Sequence, residues 1–88
     1  MLNCIVLELT NGTTVAYSYP DEHSAQEWYR ECRLEWNEGR TLTFHMPKRS
    51  RGAAMQIHPA DDVAHLGLAT RDELTARGID YAEAVTFG

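Results

Sequence analysis

The chain has 88 residues, with 13 acidic and 8 basic side chains and a formal net charge of −5. This length predicts one small domain over residues 1–88 and leaves no room for a second hydrophobic core. Hydrophobic residues make up 43% of the chain and charged residues 24%, which is typical of a globular domain and excludes a disordered tail. The net negative charge also opposes long-range attraction to polyanions.

The N-terminal residues predict neither a secretory signal nor a membrane span. No Lys or Arg precedes Glu8, the apolar run 5–7 is too short for a signal peptide, and no stretch reaches the roughly 20 apolar residues of a membrane span. We therefore expect a cytoplasmic protein without membrane contact. Because Cys4 and Cys32 form no CxxC pair, we expect two buried free thiols rather than a disulfide scaffold or a zinc site.

A β-hairpin is predicted over residues 3–19, around the turn sequence Thr10–Thr13. A two-residue loop would place the apolar side chains of the two strands on opposite faces. A three-residue loop with Gly12 in the left-handed conformation would gather them on one face. Its strand pairs would be Leu9 with Thr13, Leu7 with Val15, and Ile5 with Tyr17. We favour this second register, because a sheet in so small a domain needs one covered face.

An amphipathic helix follows, with Asp21 or Ser24 as its N-cap and Gly39 as its C-cap. Its core-facing stripe has helical spacing and consists of Ala25, Trp28, Tyr29, Cys32 and Trp36. One flank carries an acidic row beside the outward-facing Leu34, and the row consists of Glu27, Glu31, Glu35 and Glu38. Like charges at this spacing cost about 0.2–0.5 kcal/mol per pair. The row and Leu34 are therefore either a solvated face or, as we predict, a surface for a protein partner.

A second hairpin is predicted from residues 40–46 and 53–58, joined by the basic loop 47–52. The first strand alternates through Leu42, Phe44 and Met46, and the second through Met55 and Ile57. Residues 59–62 predict a turn, and residues 63–68 a fifth strand with Leu66 and Leu68 directed inward.

The C-terminal part predicts a short second helix. Thr70 begins a capping box, Gly78 ends the helix, and Ile79 is placed to pack back on Leu74. The conformation of residues 79–88 is ambiguous. The elements together predict an α+β domain in the order ββαββ(β)α, with a mostly antiparallel sheet of four or five strands covered on one face by the main helix.

The segment 58–65 contains the residue types that bind divalent metals. If it were helical, His58, Asp61, Asp62 and His65 would share one face. Pro59 favours instead a turn whose carboxylates accept backbone N–H bonds, so we expect no metal and no cofactor. The sequence contains no GxSxG, Walker, GxGxxG or HExxH motif, and we expect no enzymatic activity.

The stretch from Arg40 to Pro59 contains four basic residues and no acidic one. Lys48, Arg49 and Arg51 lie at the expected tip of the second hairpin, where a basic loop reaches phosphates. Weak nucleic-acid binding through these three side chains is the alternative function. It is not favoured, because three cations on an acidic chain make a small electrostatic footprint.

The chain has the order strand, Leu9-Thr10-Asn11-Gly12, strand, helix and two strands. This order is followed by the segment Ile57-His58-Pro59-Ala60-Asp61-Asp62-Val63-Ala64-His65-Leu66. The whole pattern resembles small uncharacterised accessory proteins of actinobacteria and their phages. The resemblance covers most of the chain and brings no catalytic residues. It implies an accessory gene product that binds a host or virion component. From the residues themselves we predict a non-enzymatic protein-interaction module that self-associates, with the acidic helix flank and the basic hairpin as opposite poles.

Overall fold

The computed structural model describes residues 1–47 and 55–86 and contains two sheets and two helices. The elements are β1 (Cys4–Leu9), β2 (Thr14–Ser18), α1 (Glu22–Asn37), β3 (Leu42–His45), β4 (Met55–His58), a 3-10 turn (Ala60–Asp62), β5 (Val63–Ala69), α2 (Arg71–Ala76) and β6 (Ala82–Glu83). The main sheet has the order β5-β1-β2-β6, and β3 pairs with β4 in a separate sheet. The predicted α+β class is confirmed, but the second hairpin does not join the main sheet.

The first hairpin adopts the three-residue loop register. Ile5 lies opposite Tyr17 and Leu7 opposite Val15. The Leu9 N–H donates to the Thr13 carbonyl at 2.8 Å, and Gly12 has φ +90°, which an L side chain rarely adopts. The favoured register is therefore confirmed, and the large apolar side chains of both strands line one face.

Helix α1 has the predicted N-cap, and the predicted Gly39 directly follows its C-cap Glu38. Of the two candidate N-caps, Asp21 is the one used, and its carboxylate accepts the Ser24 N–H at 2.7 Å. This hydrogen bond stabilises the ionised carboxylate and lowers the pKa of Asp21. At the other end Gly39 has φ +74°, and the Arg40 N–H donates to the Glu35 carbonyl.

Strand β5 pairs antiparallel with β1 and contains a β-bulge. Glu8 lies opposite His65, whereas Leu9 lies opposite Val63, so one extra residue stands in β5. The bulge directs both Val63 and Leu66 into the core although they are three residues apart. The predicted fifth strand is confirmed, with Leu66 buried and Leu68 packed against the same cluster.

Both faces of the main sheet are covered. Helix α1 and the β3-β4 hairpin cover one face, over a cluster that includes Ile5, Leu7, Tyr17, Leu42 and Phe44. The short helix α2 covers the other face, where its Leu74 packs with Cys4, Val6, Ala16 and Ala69. Both cysteines are free and buried, as predicted, and burial raises the pKa of Cys32 to about 12.

The C-terminal segment connects the two sheets. Helix α2 has the predicted cap at Thr70, and after Gly78 the Ile79 N–H donates to the Leu74 carbonyl at 2.9 Å. Strand β6 then runs parallel to β2, a pairing that the sequence did not indicate. Two residues later Val85 forms a bridge with His45 of β3. The segment thereby fixes the position of the second hairpin relative to the main sheet.

Candidate interaction surface

Part of the negative charge of the predicted partner surface on α1 is compensated by Arg40 of the same chain, and the His23 ring also contacts the row. Glu27 lies 3.0 Å from His23, and Arg40 lies 3.0 Å from Glu38 and 3.8 Å from Glu35. Glu31 has no ion pair within the described residues. Leu34 is 53% exposed, as predicted. Arg40 offsets part of the repulsion between the glutamates of this row. The row therefore needs a binding partner less than the spacing of its like charges suggests.

The structure does not bring the candidate metal ligands together. The segment 58–65 is a strand, a 3-10 turn and a second strand, so the hypothetical helical face of His58, Asp61, Asp62 and His65 does not exist. Asp61 and Asp62 lie in the turn that the sequence favoured. Over residues 1–47 and 55–86, no three His, Cys, Asp or Glu side chains are placed to hold a metal ion. Lys48, Arg49 and Arg51, the candidate nucleic-acid contacts, lie outside the described residues.

His58 belongs instead to a polar contact between the two sheets. The Tyr17 hydroxyl lies 2.6 Å from Gln56 Oε1 and 2.6 Å from His58 Nε2. A phenol has one proton, so when Tyr17 donates to Gln56 the His58 Nε2–H donates to Tyr17. The Tyr17 ring also stacks on Phe44 with centroids 4.1 Å apart.

These contacts fix which face of β4 is turned inward. Gln56 and His58 are directed toward Tyr17, so Met55 and Ile57 project to the opposite side, where they are 43% and 56% exposed. Desolvation lowers the pKa of His58, against a smaller opposing effect of Asp62. The inner face of β4 is thus polar, and its apolar side chains face outward.

The backbone N–H and C=O groups of Met55 and Ile57 point away from β3, and this follows from the orientation of their partners in β3. The Thr43 carbonyl accepts the Trp28 indole N–H at 2.9 Å, and the His45 carbonyl accepts the Val85 N–H at 2.9 Å, so both face away from β4. Residues that lie opposite each other in an antiparallel ladder share this orientation. Ile57 lies opposite Thr43 and Met55 opposite His45. The N–H and C=O groups of Met55 and Ile57 therefore point to the outer edge of β4.

That outer edge has no pairing strand among the described residues. Strand β5 is also an edge strand, but α1 crosses it. The Trp36 indole donates to the Val63 carbonyl at 3.1 Å, and the Tyr29 hydroxyl to the Leu66 carbonyl at 3.4 Å. Strand β6, at the other edge, has only two residues. The β4 edge thus combines open backbone groups with exposed apolar side chains, which is the arrangement that recruits another strand.

Sequence reasoning missed the β4 edge. The signal that it could have used is the pair Met55 and Ile57 at strand spacing, in a stretch without acidic residues that ends at Pro59. The pattern alone does not indicate which side of the strand is covered, because that depends on the distant Tyr17.

Comparisons with protein-family models, with curated proteins and with solved structures find no match to this chain. The resemblance to actinobacterial and phage accessory proteins, with the implied host or virion partner, therefore stays a prediction. No helix within the described ranges is long and apolar enough to cross a membrane.

Proposed function

We propose that this chain is a non-enzymatic protein-interaction module that self-associates. The observation that carries the proposal is the outer edge of β4, where Met55 and Ile57 present exposed side chains together with backbone groups that no other described residue pairs. An added strand gains main-chain hydrogen bonds from such an edge and specificity from the neighbouring side chains. A second copy of the chain supplies the same kind of edge.

The size of the surface indicates weak association. Full burial of a Met or Ile side chain contributes about 1.5–3 kcal/mol, and about half of each is already covered, so each contributes on the order of 1 kcal/mol more. With few hydrogen bonds added, the contact lies at the small, transient end of protein interfaces. We expect a monomer at low protein concentration and a dimer whose population increases at high protein concentration.

The acidic row on α1 is the competing surface. Association of that row with the basic hairpin would be electrostatic, so added salt would weaken it. Pairing through β4 involves no charged side chain within residues 55–58. It brings together two chains of net charge −5, so salt would leave it unchanged or strengthen it.

Light scattering over about 10 µM to about 1 mM protein, at low and high salt, tests the proposal. Ile57→Lys adds a charge at the β4 edge, and Leu34→Lys is its matched control because the two side chains are 56% and 53% exposed. We expect the native protein and Leu34→Lys to dimerise and Ile57→Lys to remain monomeric. A native protein that stays monomeric throughout would overturn the proposed self-association. Loss of dimerisation in Leu34→Lys but not in Ile57→Lys would show that the dimer contact lies on α1 instead of β4.

A further inference from the structure

We infer that two copies pair their β4 strands antiparallel about a two-fold axis at Gln56, which joins the two hairpins into one four-stranded sheet. The inference rests on the proposed self-association and specifies the contact that produces it. It follows from the positions of the open backbone groups on β4.

The register centred on Gln56 pairs every open group that the structure describes on this edge. Met55 then lies opposite Ile57 of the partner subunit, and Ile57 opposite Met55 of the partner subunit. All four residues direct their N–H and C=O groups toward the contact, so each opposed pair exchanges two hydrogen bonds. This makes four hydrogen bonds and leaves no open N–H or C=O on either Met55 or Ile57.

A register centred on Ile57 pairs fewer groups. It places Met55 opposite Pro59 of the partner subunit, and proline has no N–H to donate. The Pro59 carbonyl is also occupied, because it accepts the Asp62 N–H at 2.9 Å in the 3-10 turn. Only the two bonds between the Ile57 residues would remain, so the Gln56-centred register is favoured.

The side chains also suit a second copy. In the favoured register Met55 of one copy and Ile57 of the partner subunit become cross-strand neighbours on the outer face. The two-fold symmetry repeats this contact, which gives two apolar pairs. None of residues 55–58 is Asp, Glu, Lys or Arg, so the contact opposes no like charges within the strand. The edge is therefore self-complementary in hydrogen bonds, in apolar contact and in charge.

Cysteine cross-linking with diamide tests the register. The two Gln56 residues would form a non-hydrogen-bonded pair with Cα atoms about 4.5 Å apart. That distance permits a disulfide, so Gln56→Cys is expected to form a covalent dimer. In the control Met55→Cys the two cysteines lie on a diagonal, with Cα atoms roughly 8 Å apart, beyond disulfide range. The native Cys4 and Cys32 are buried, so the unmodified protein measures the background.

A second arm leaves Gln56 and its contact with Tyr17 intact. An equal mixture of Met55→Cys and Ile57→Cys proteins places the two different cysteines opposite each other, about 5.5 Å apart. We expect the mixture to cross-link as a heterodimer, and both it and Gln56→Cys to react at least about tenfold faster than Met55→Cys alone. Equal rates in a protein that light scattering finds dimeric would overturn the β4 register and leave self-association standing. A strictly monomeric native protein would overturn both.

Discussion

Replacement of Tyr17 by Phe tests the contact that holds β4 over the main sheet. The substitution keeps the aromatic ring on Phe44 but removes a hydroxyl that lies 2.6 Å from Gln56 Oε1 and 2.6 Å from His58 Nε2. Each hydrogen bond contributes about 0.5–1.5 kcal/mol net, which gives about 1–3 kcal/mol for the two. Because Gln56 is exposed and can bind water after the change, we expect a loss of about 1–2 kcal/mol.

Tyr19 provides the matched control for this substitution. Its hydroxyl is buried and has no hydrogen-bond partner within the described residues. An unpaired buried hydroxyl costs about 1–3 kcal/mol, so Tyr19→Phe is expected to leave the free energy of unfolding unchanged or to raise it.

Thermal and urea unfolding of the native protein and both variants measure the difference. For a domain of this size, about 1 kcal/mol shifts Tm by about 4–8 °C. We expect a lower Tm for Tyr17→Phe and an equal or higher Tm for Tyr19→Phe. Equal destabilisation by the two substitutions would refute the assignment of Tyr17 as the hydroxyl that anchors β4.

Two further predictions concern pH and backbone conformation. Burial lowers the pKa of His58 from its ordinary 6.5. As the pH drops, the unfolded chain therefore binds a proton at His58 before the folded chain does. The free energy of unfolding should then fall as the pH drops through 6.5 toward the folded-state pKa. Urea unfolding at several pH values should show this decrease in the native protein and a smaller one in His58→Gln. Gly12→Ala should lower the free energy of unfolding by about 1–2 kcal/mol, because φ is +90° there. The control Gly67→Ala, with no positive φ and open space at the added Cβ, should be neutral or stabilising; similar losses in the two would contradict the conformational argument.

The local elements of this fold could be predicted from the sequence because their signals are local. The Asn11-Gly12 turn and the strand alternation around it determine the first hairpin and its register. Asp21 caps the start of α1 and the left-handed Gly39 ends it, and Thr70 and Gly78 define α2. Each signal lies within a few residues of the structure that it specifies.

The arrangement of the second hairpin depends on distant residues and could not be predicted. Gln56 and His58 turn inward because Tyr17, about 40 positions earlier in the chain, supplies a hydroxyl between the sheets. The bulge in β5 and the parallel pairing of β6 with β2 likewise follow from non-local strand contacts. The candidate site is the edge of a sheet. A strand lies at an edge when no other strand pairs with one of its sides, and its own residues do not determine this. The sequence analysis therefore placed its predicted partner surface on α1 and did not single out Met55 and Ile57, and the α1 surface stays a prediction.

Amide hydrogen exchange measured by NMR at increasing protein concentration tests the central claim most directly. Gln56 and His58 direct their N–H groups toward β3 and should be protected at every concentration. The Met55 and Ile57 N–H groups should exchange rapidly in dilute solution and become protected as the dimer forms. Persistent rapid exchange of these two amides in a solution that light scattering finds dimeric would contradict pairing through β4.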